Sequence, residues 1–422
     1  MPFLKSSTPP ITYFSLYLFS FGFIDFYCNF DYLIDLSKRK NFLASPNNPI
    51  NVKIWFDILT PKQIMFFSPA ISILQKDGHD ILGTSRNYRE ANELSALKEL
   101  HLMKVGSHGG SNLYDKLFQS SKRIVELTKI ISKYSPDLVV SFSSPEASRV
   151  AFGLGIKHIG FNDSPHAEAV ARLTIPLLST LFSPSAIPIT AWRKYGMSSK
   201  NIIQYNGLDP IAWLSQKYEF NEANLHHEKL SSPHLDHNIF ASLGIDETKH
   251  SILIRLEESK AAYISDKNLR IQPLSFVDHV VNSFGSKNNV IVLCRYPDQI
   301  RAMSKRFANK AIILKQVVDG VKLLKQVDVF IGAGGTMTAE SALLGKPTIS
   351  IAPIQFYIDD YLKKIGLVQQ VFAPNQLDNL INSFLFDHKK CKDIRNNANK
   401  IIKEMENPIE KLTTYISTMN KK

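Results

Sequence analysis

Cysteine is scarce in this sequence: Cys28, Cys294 and Cys391 are the only three among 422 residues, far apart and odd in number. No Cys-x-x-Cys pair occurs, which argues against structural zinc and against a disulfide framework, and a reducing cytoplasm is the expected setting. Long apolar runs are also missing. Spanning a bilayer takes about 20 apolar residues, and the most apolar stretch, Ile11–Ile24, is shorter and is interrupted by Asp25. Only Lys5 precedes that run and no small-residue cleavage site follows, so it does not read as a signal peptide. The net charge of +12 favours anionic partners, but Lys and Arg are scattered, with no dense basic run and no aromatic platform of the RNA-binding kind. Sequence-specific nucleic-acid binding is therefore not expected. Two hydrolase signatures are absent, G-x-S-x-G and H-E-x-x-H, so the serine, histidine and glycines of Gly106-Ser107-His108-Gly109-Gly110 carry no hydrolase reading and no metal site is implied.

What is present is an alternation of strands and helices. A hydrophobic fraction of 44% over this length can bury two cores without a metal or disulfide staple. From Val52 the pattern opens cleanly: Val52–Ile58 is a short apolar run of the kind buried on both sheet faces, Thr60-Pro61 breaks it, and Ile64–Lys76 is helical in spacing and stopped by Gly78. Asp80–Thr84 and Asp137–Phe142 read as strands around a long amphipathic helix, Leu113–Tyr134, and His158–Phe161 as another strand. In the second half Ser251–Leu256, Val290–Cys294, Ala311–Leu314, Asp328–Ile331 and Thr348–Ile351 read the same way. Repeated strand–helix–strand units mean parallel sheets.

The expected organisation is α/β with two Rossmann-like domains facing a cleft. They span residues 51–220 and 239–386, with a polar boundary near Asn221–His237 and a charged helical segment over 387–422. Residues 1–50 read as a weakly structured extension or a stretch outside the working protein, with a weak membrane-surface anchor as the third reading.

The most informative stretch is Val327–Ser350. A strand ends at Ile331, the turn Gly332-Ala333-Gly334-Gly335 follows, and a helix begins near Thr336–Thr338, ending at Gly345 before Pro347. The first amides of a helix have no partner within it, the macrodipole adds positive potential there, and glycine lets a phosphate approach the backbone. Thr336 and Thr338 can add hydroxyls or cap the helix. Glu340 is placed to accept from a ribose diol just beyond. An ordinary glycine turn with a threonine cap would give the same letters. The spacing is neither the dinucleotide fingerprint nor a P-loop.

Gly334–Glu340, followed by Ala342-Leu343-Leu344-Gly345-Lys346-Pro347, resembles the donor-nucleotide motif of GT-B glycosyltransferases. It is similar in particular to the bacterial enzyme that adds N-acetylglucosamine to lipid I and to non-hydrolysing UDP-N-acetylglucosamine 2-epimerases. The resemblance implies a phosphate role for Gly334, Gly335 and Thr336 and a ribose role for Glu340. More of the chain, through Trp55–Gln63, Asp77-Gly78-His79, Gly106–Gly110 and Ala333–Pro347, resembles the family called domain of unknown function 354, itself similar to GT-B proteins. The 2-epimerases carry a His-Arg-x-x-Asn loop that this chain lacks, which weighs against epimerase chemistry.

Other candidates lie at strand ends, where parallel sheets gather ligands. Lys62 and Gln63, after the first strand, can reach an acceptor or a phosphate, or belong to a turn capped by Asp57. Asn162-Asp163-Ser164-Pro165-His166-Ala167-Glu168 offers Asp163 or His166 as a general base, or a helix cap by Asp163 or Ser164. Arg255 can clamp a phosphate or sit in a surface ion-pair cluster, and Arg295 is a weaker version of the same idea.

The expectation is a GT-B glycosyltransferase-like enzyme with a UDP-sugar as substrate and no separate cofactor or metal. A lipid or polyisoprenoid acceptor and a peripheral membrane contact are compatible with it. Epimerisation of a nucleotide sugar, or a non-catalytic binding role at an anionic membrane, are the alternatives.

Overall fold

The computed structural model describes residues 51–110, 112–215, 239–256, 273–352 and 354–419. The expected extension at 1–50 and the boundary at 221–237 lie outside them. Two parallel sheets are seen, in the two-domain Rossmann-like arrangement of GT-B proteins. The first contains β1 (Lys53–Asp57), β2 (Asp80–Asn87), β3 (Met103–Ser107), β4 (Leu138–Ser141), β5 (Lys157–Phe161), β6 (Thr180–Pro184) and β7 (Ile202–Tyr205), in the order β3-β2-β1-β4-β5-β6-β7. The second contains β8 (Ser251–Arg255), β9 (Asn289–Leu293), β10 (Ile312–Leu314), β11 (Val329–Gly332), β12 (Thr348–Ser350) and β13 (Gln369–Gln370), in the order β10-β9-β8-β11-β12-β13. The pairings within both are parallel.

The apolar runs are explained by two-sided burial. Ile54 and Phe56 of β1 enter one core while Trp55, between them, enters another on the opposite face. In β11, Val329 and Ile331 face one core and Phe330 the other. A strand covered by helices on both faces has no polar side, so its sequence does not alternate.

The chain end returns to the first lobe. Helix His388–Glu404 packs Ala398 against the second lobe, but helix Pro408–Met419 sends Ile409, Leu412 and Ile416 into the core beneath β1. Asn407 fixes the crossing by donating to the Ser215 hydroxyl (3.1 Å) and the Ile211 carbonyl (3.4 Å). Among the described residues no helix is long and apolar enough to cross a membrane.

Each sheet reverses its winding direction once, between β1 and β4 in the first and between β8 and β11 in the second. At such a point the connections leave toward opposite sides and a crevice opens beyond the carboxyl ends of the strands. Thr60–Lys62 and Phe142–Ser143 lie at the first point, and Arg255–Leu256 and Ala333–Gly335 at the second; all line one cavity of about 510 Å³.

Candidate functional site

The second-lobe wall is built from backbone. Gly334 and Gly335 take φ of +88° and +84°, conformations natural to glycine. Gly335 is the N-cap of the helix Thr336–Leu343 and has no side chain with which to cap it. Exposed Gly335 and the half-buried Gly334 and Thr336 therefore present the first amides of the helix to the cavity. Glu340, one turn further on, lines the same space while almost buried, and its Oε1 accepts from the Trp213 indole at 2.9 Å. Burial raises Glu340 to about 7, although the Trp213 hydrogen bond works against the rise. Arg255 lines the cavity too; its Nη1 donates to the carbonyls of Cys294 (3.2 Å) and Leu293 (3.4 Å).

The first-lobe wall is built from side chains. Lys62 Nζ lies 2.5 Å from Asp163 and 2.7 Å from Asp209, so one ammonium joins the loops after β1, β5 and β7. Burial opposes charge on all three, but the ion pairs decide two of them: Lys62 is raised and Asp163 is held below the usual carboxylate range. Asp209, nearly inaccessible and facing Asp163 as well as Lys62, is pushed up to about 6, and the Tyr205 hydroxyl also bonds to it. His166 packs its ring at a tilt against Phe356 of the second lobe, with ring centres 4.5 Å apart, and burial lowers its pKa. The imidazole is consequently neutral near pH 7.

A model of the family described as Protein of unknown function (DUF354) matches residues 52–416. The chain is a member of the DUF354 family. A relative in it, the uncharacterized protein MJ0665 of Methanocaldococcus jannaschii, is 30% identical over 337 residues, 79% of this chain and 91% of the relative. Among solved structures, the S. aureus MnaA–UDP complex aligns with a TM-score of 0.65 at 13% identity, covering 88% of this chain and 97% of that one. UDP-GlcNAc 2-epimerase of Neisseria meningitidis bound to UDP-GlcNAc aligns at 0.58 and 16%, over 88% and 100%. The spinosyn forosaminyltransferase SpnP aligns at 0.54 and 14%, over 87% and 100%. These are similarities of fold.

Of the residues singled out from sequence in this DUF354 chain, Lys62, Asp163, His166, Arg255, Gly334, Gly335, Thr336 and Glu340 come together around the cavity. Gln63 and Thr338 do not line it. The Gln63 carboxamide accepts from the Leu59 amide at 2.6 Å and donates to the Phe142 carbonyl at 3.5 Å, fixing the turn behind Lys62. Thr338 is fully buried, with its Oγ1 only 2.5 Å from where a Cβ on Gly332 would sit, so it packs helix against strand.

Two caps weighed as alternatives to a functional role are absent. Asp57 is locked into a buried bidentate pair with Arg123 (2.6 and 3.0 Å) and accepts from Thr84 and Ser144, while Thr60 caps the following helix through the Gln63 amide. The helix after Pro165 starts at Glu168 with Ala167 as its N-cap, which leaves Asp163 to Lys62. Lys346 turns back onto the carbonyls of Lys325 and Val327, closing the end of the helix and not the cavity.

Asp209, Trp213 and Asp359 were not found from sequence. Asp209 had a signal, a strand followed by Gly207-Leu208-Asp209-Pro210, in the manner of the other strand-end loops. Trp213 and Asp359 had none, because neither follows a strand end or a glycine turn in the sequence; the structure places them in the helices Ile211–Leu214 and Tyr357–Lys364. Among the described residues no group of three or more His, Cys, Asp or Glu side chains is arranged to hold a metal ion.

Proposed function

We propose that this DUF354 protein is a sugar-modifying enzyme that binds a UDP-sugar and transfers the sugar to an acceptor. The observation that carries the reading is the juxtaposition across one cavity of an uncapped, glycine-led helix start with Glu340 one turn in, and of a neutral histidine beside the Lys62–Asp163–Asp209 cluster. The amides of Gly335 and Thr336 receive the diphosphate and stabilise the charge that develops on it as the sugar departs. Glu340 accepts from the ribose diol.

His166 takes the proton of the acceptor hydroxyl as its oxygen bonds to the anomeric carbon and the bond from that carbon to the diphosphate breaks. It suits the role better than Asp163, whose charge is committed to Lys62. Asp163 and Lys62 orient the acceptor, and most of the acceleration comes from positioning. The reading is supported by the ligands in fold neighbours, UDP in MnaA and UDP-GlcNAc in the Neisseria enzyme, and by the transferase identity of SpnP.

Calorimetry with UDP and UDP-sugars tests it. Dissociation constants below millimolar are expected, and folded protein that binds none of them removes the proposal. Glu340→Ala should weaken UDP more than pyrophosphate; equal losses would contradict the ribose role.

A second reading, epimerisation of the nucleotide sugar, is favoured by one feature. Asp163 and Asp209 are displaced in opposite directions, as an acid and base acting on a sugar carbon would need. Deuterium entering the sugar of UDP-GlcNAc from heavy water, with no acceptor present, would establish it in place of transfer.

A further inference from the structure

Asp359, in the first turn of the helix Tyr357–Lys364, lines the cavity while remaining only 2% exposed. Its Oδ2 is enclosed and has no hydrogen-bond partner. That oxygen lies 2.9 Å from where a Cβ on Gly334 would sit, so the carboxyl occupies the space the glycine leaves. An acid thus lies against the amide-lined end of the site, where the nucleotide reading puts a diphosphate. As a carboxylate it would repel that ligand in a poorly solvated place. As a carboxylic acid it offers an O–H donor at the same position.

Its surroundings favour the acid. Burial pushes Asp359 up to about 7; Lys363 opposes the rise, Asp360 adds to it, and the nearby Ser350 hydroxyl and Gly335 amide oppose it. Lys363 and Asp360 are paired with each other at 2.5 Å on the same helix. From β12 and the start of Thr336–Leu343 the groups facing Asp359 are the uncharged Ser350 and Gly335. Across the cavity stands neutral His166, its ring against that of Phe356.

We infer that Asp359 binds the diphosphate of the nucleotide sugar as a neutral acid, donating a hydrogen bond from its unpartnered oxygen, so that binding at and above neutral pH takes up a proton from solvent through this group. This rests on the nucleotide-sugar reading above. It does not follow from that reading, which the glycine amides alone would satisfy.

The experiment is calorimetric titration of the full chain with UDP-glucose and UDP-GlcNAc at pH 6, 7 and 8. Two buffers of different ionisation enthalpy are used, in EDTA and again in magnesium. For the wild-type protein, uptake approaching one proton at pH 8 is expected, with affinity about tenfold weaker at pH 8 than at pH 6 through this group. Asp359→Asn keeps a donor and removes the titration, so its affinity should match wild type at pH 6 and exceed it about tenfold at pH 8. Uptake should survive His166→Asn, which separates it from protonation of the histidine.

Superimposable pH profiles for wild type and Asp359→Asn, or wild-type binding with no proton uptake, would overturn the inference and leave nucleotide binding intact. Binding that needs magnesium and is lost in Asp359→Asn would overturn it in favour of a charged metal ligand. Absence of binding by wild type at every pH would remove the nucleotide reading and this one with it. The proton count needs only the wild-type protein and stands even if the variant does not fold.

Discussion

On the first lobe the cavity is faced by side chains that neutralise one another, Lys62 held between Asp163 and Asp209. On the second it is faced by a helix start with no side-chain cap, and its acids, Glu340 and Asp359, are raised by burial with little cationic help. The first arrangement fixes three loops before any ligand arrives. The second leaves donors unsatisfied, which costs stability and favours an anion that comes from outside. Rigid charge pairing on one side and an unfilled electrostatic site on the other is what a cleft needs if one wall positions and the other binds.

The largest effect that would sharpen this contrast lies behind the first wall. Arg123→Met leaves Asp57 fully buried without its cation, and a loss of about 3–5 kcal/mol in denaturant unfolding is expected. Lys62→Met should cost less, about 2 kcal/mol, because Asp209 can take a proton and share it with Asp163. Its cost should grow from pH 5 to pH 8 as that proton is lost; a pH-independent cost would break the idea that the three groups titrate together.

The second wall should respond to pH with the opposite sign. Burial raises Glu340 and Asp359 to about 7 in the folded state, above the ordinary carboxylate values of 4.5 and 3.8, so the folded state holds their protons more tightly. Their contribution to stability falls as pH rises from about 4 through 7 and is flat above. Glu340→Gln and Asp359→Asn should therefore stabilise the apo protein at pH 8, on the order of 1–3 kcal/mol each, and change little at pH 5. Asp57 and Asp163 are lowered, so their contribution is present above pH 4 and lost below it. Thermal melts of the variants at the two pH values check both signs.

The same contrast explains what could be read in advance. The second wall is one contiguous stretch, Gly334–Glu340, and its function-bearing atoms are backbone, so glycine spacing at a strand end reveals it. The first wall is assembled from Lys62, Asp163 and Asp209, which the sheet order brings together from loops about a hundred and fifty residues apart at the extremes. Lys62 and Asp163 were legible as strand-end residues, but their pairing and the third member were not. Strands buried on both faces, such as β1 and β11, were legible as apolar runs. By contrast β3 is mostly exposed, and β6 and β7 carry polar residues, Thr180, Ser183 and Gln204, that hydrogen-bond in place. Gln63 and Thr338 misled because a polar residue at a strand or helix end can serve the fold's own backbone as readily as a ligand.

The smallest expected effects test how the lobes communicate. Trp213 belongs to the helix Ile211–Leu214, packed against the first-lobe core, yet its indole holds Glu340 of the second lobe. Trp213→Phe keeps the packing and removes the donor, so it should weaken UDP-sugar binding about fivefold to tenfold, the value of one ordinary hydrogen bond of about 1 kcal/mol. Pyrophosphate binding should stay unchanged. If pyrophosphate weakens equally, the indole supports the whole cleft and not the ribose side. Lys98, 3.3 Å from Asp319 at the rim, joins the lobes by a partly exposed pair, for which Lys98→Ala should cost under about 1 kcal/mol and fade with salt. A larger, salt-resistant loss would mean that the lobes are held by charge at the rim. The geometry instead puts the link at the half-buried Trp213–Glu340 hydrogen bond, the Phe356–His166 ring contact and the returning C-terminal helix.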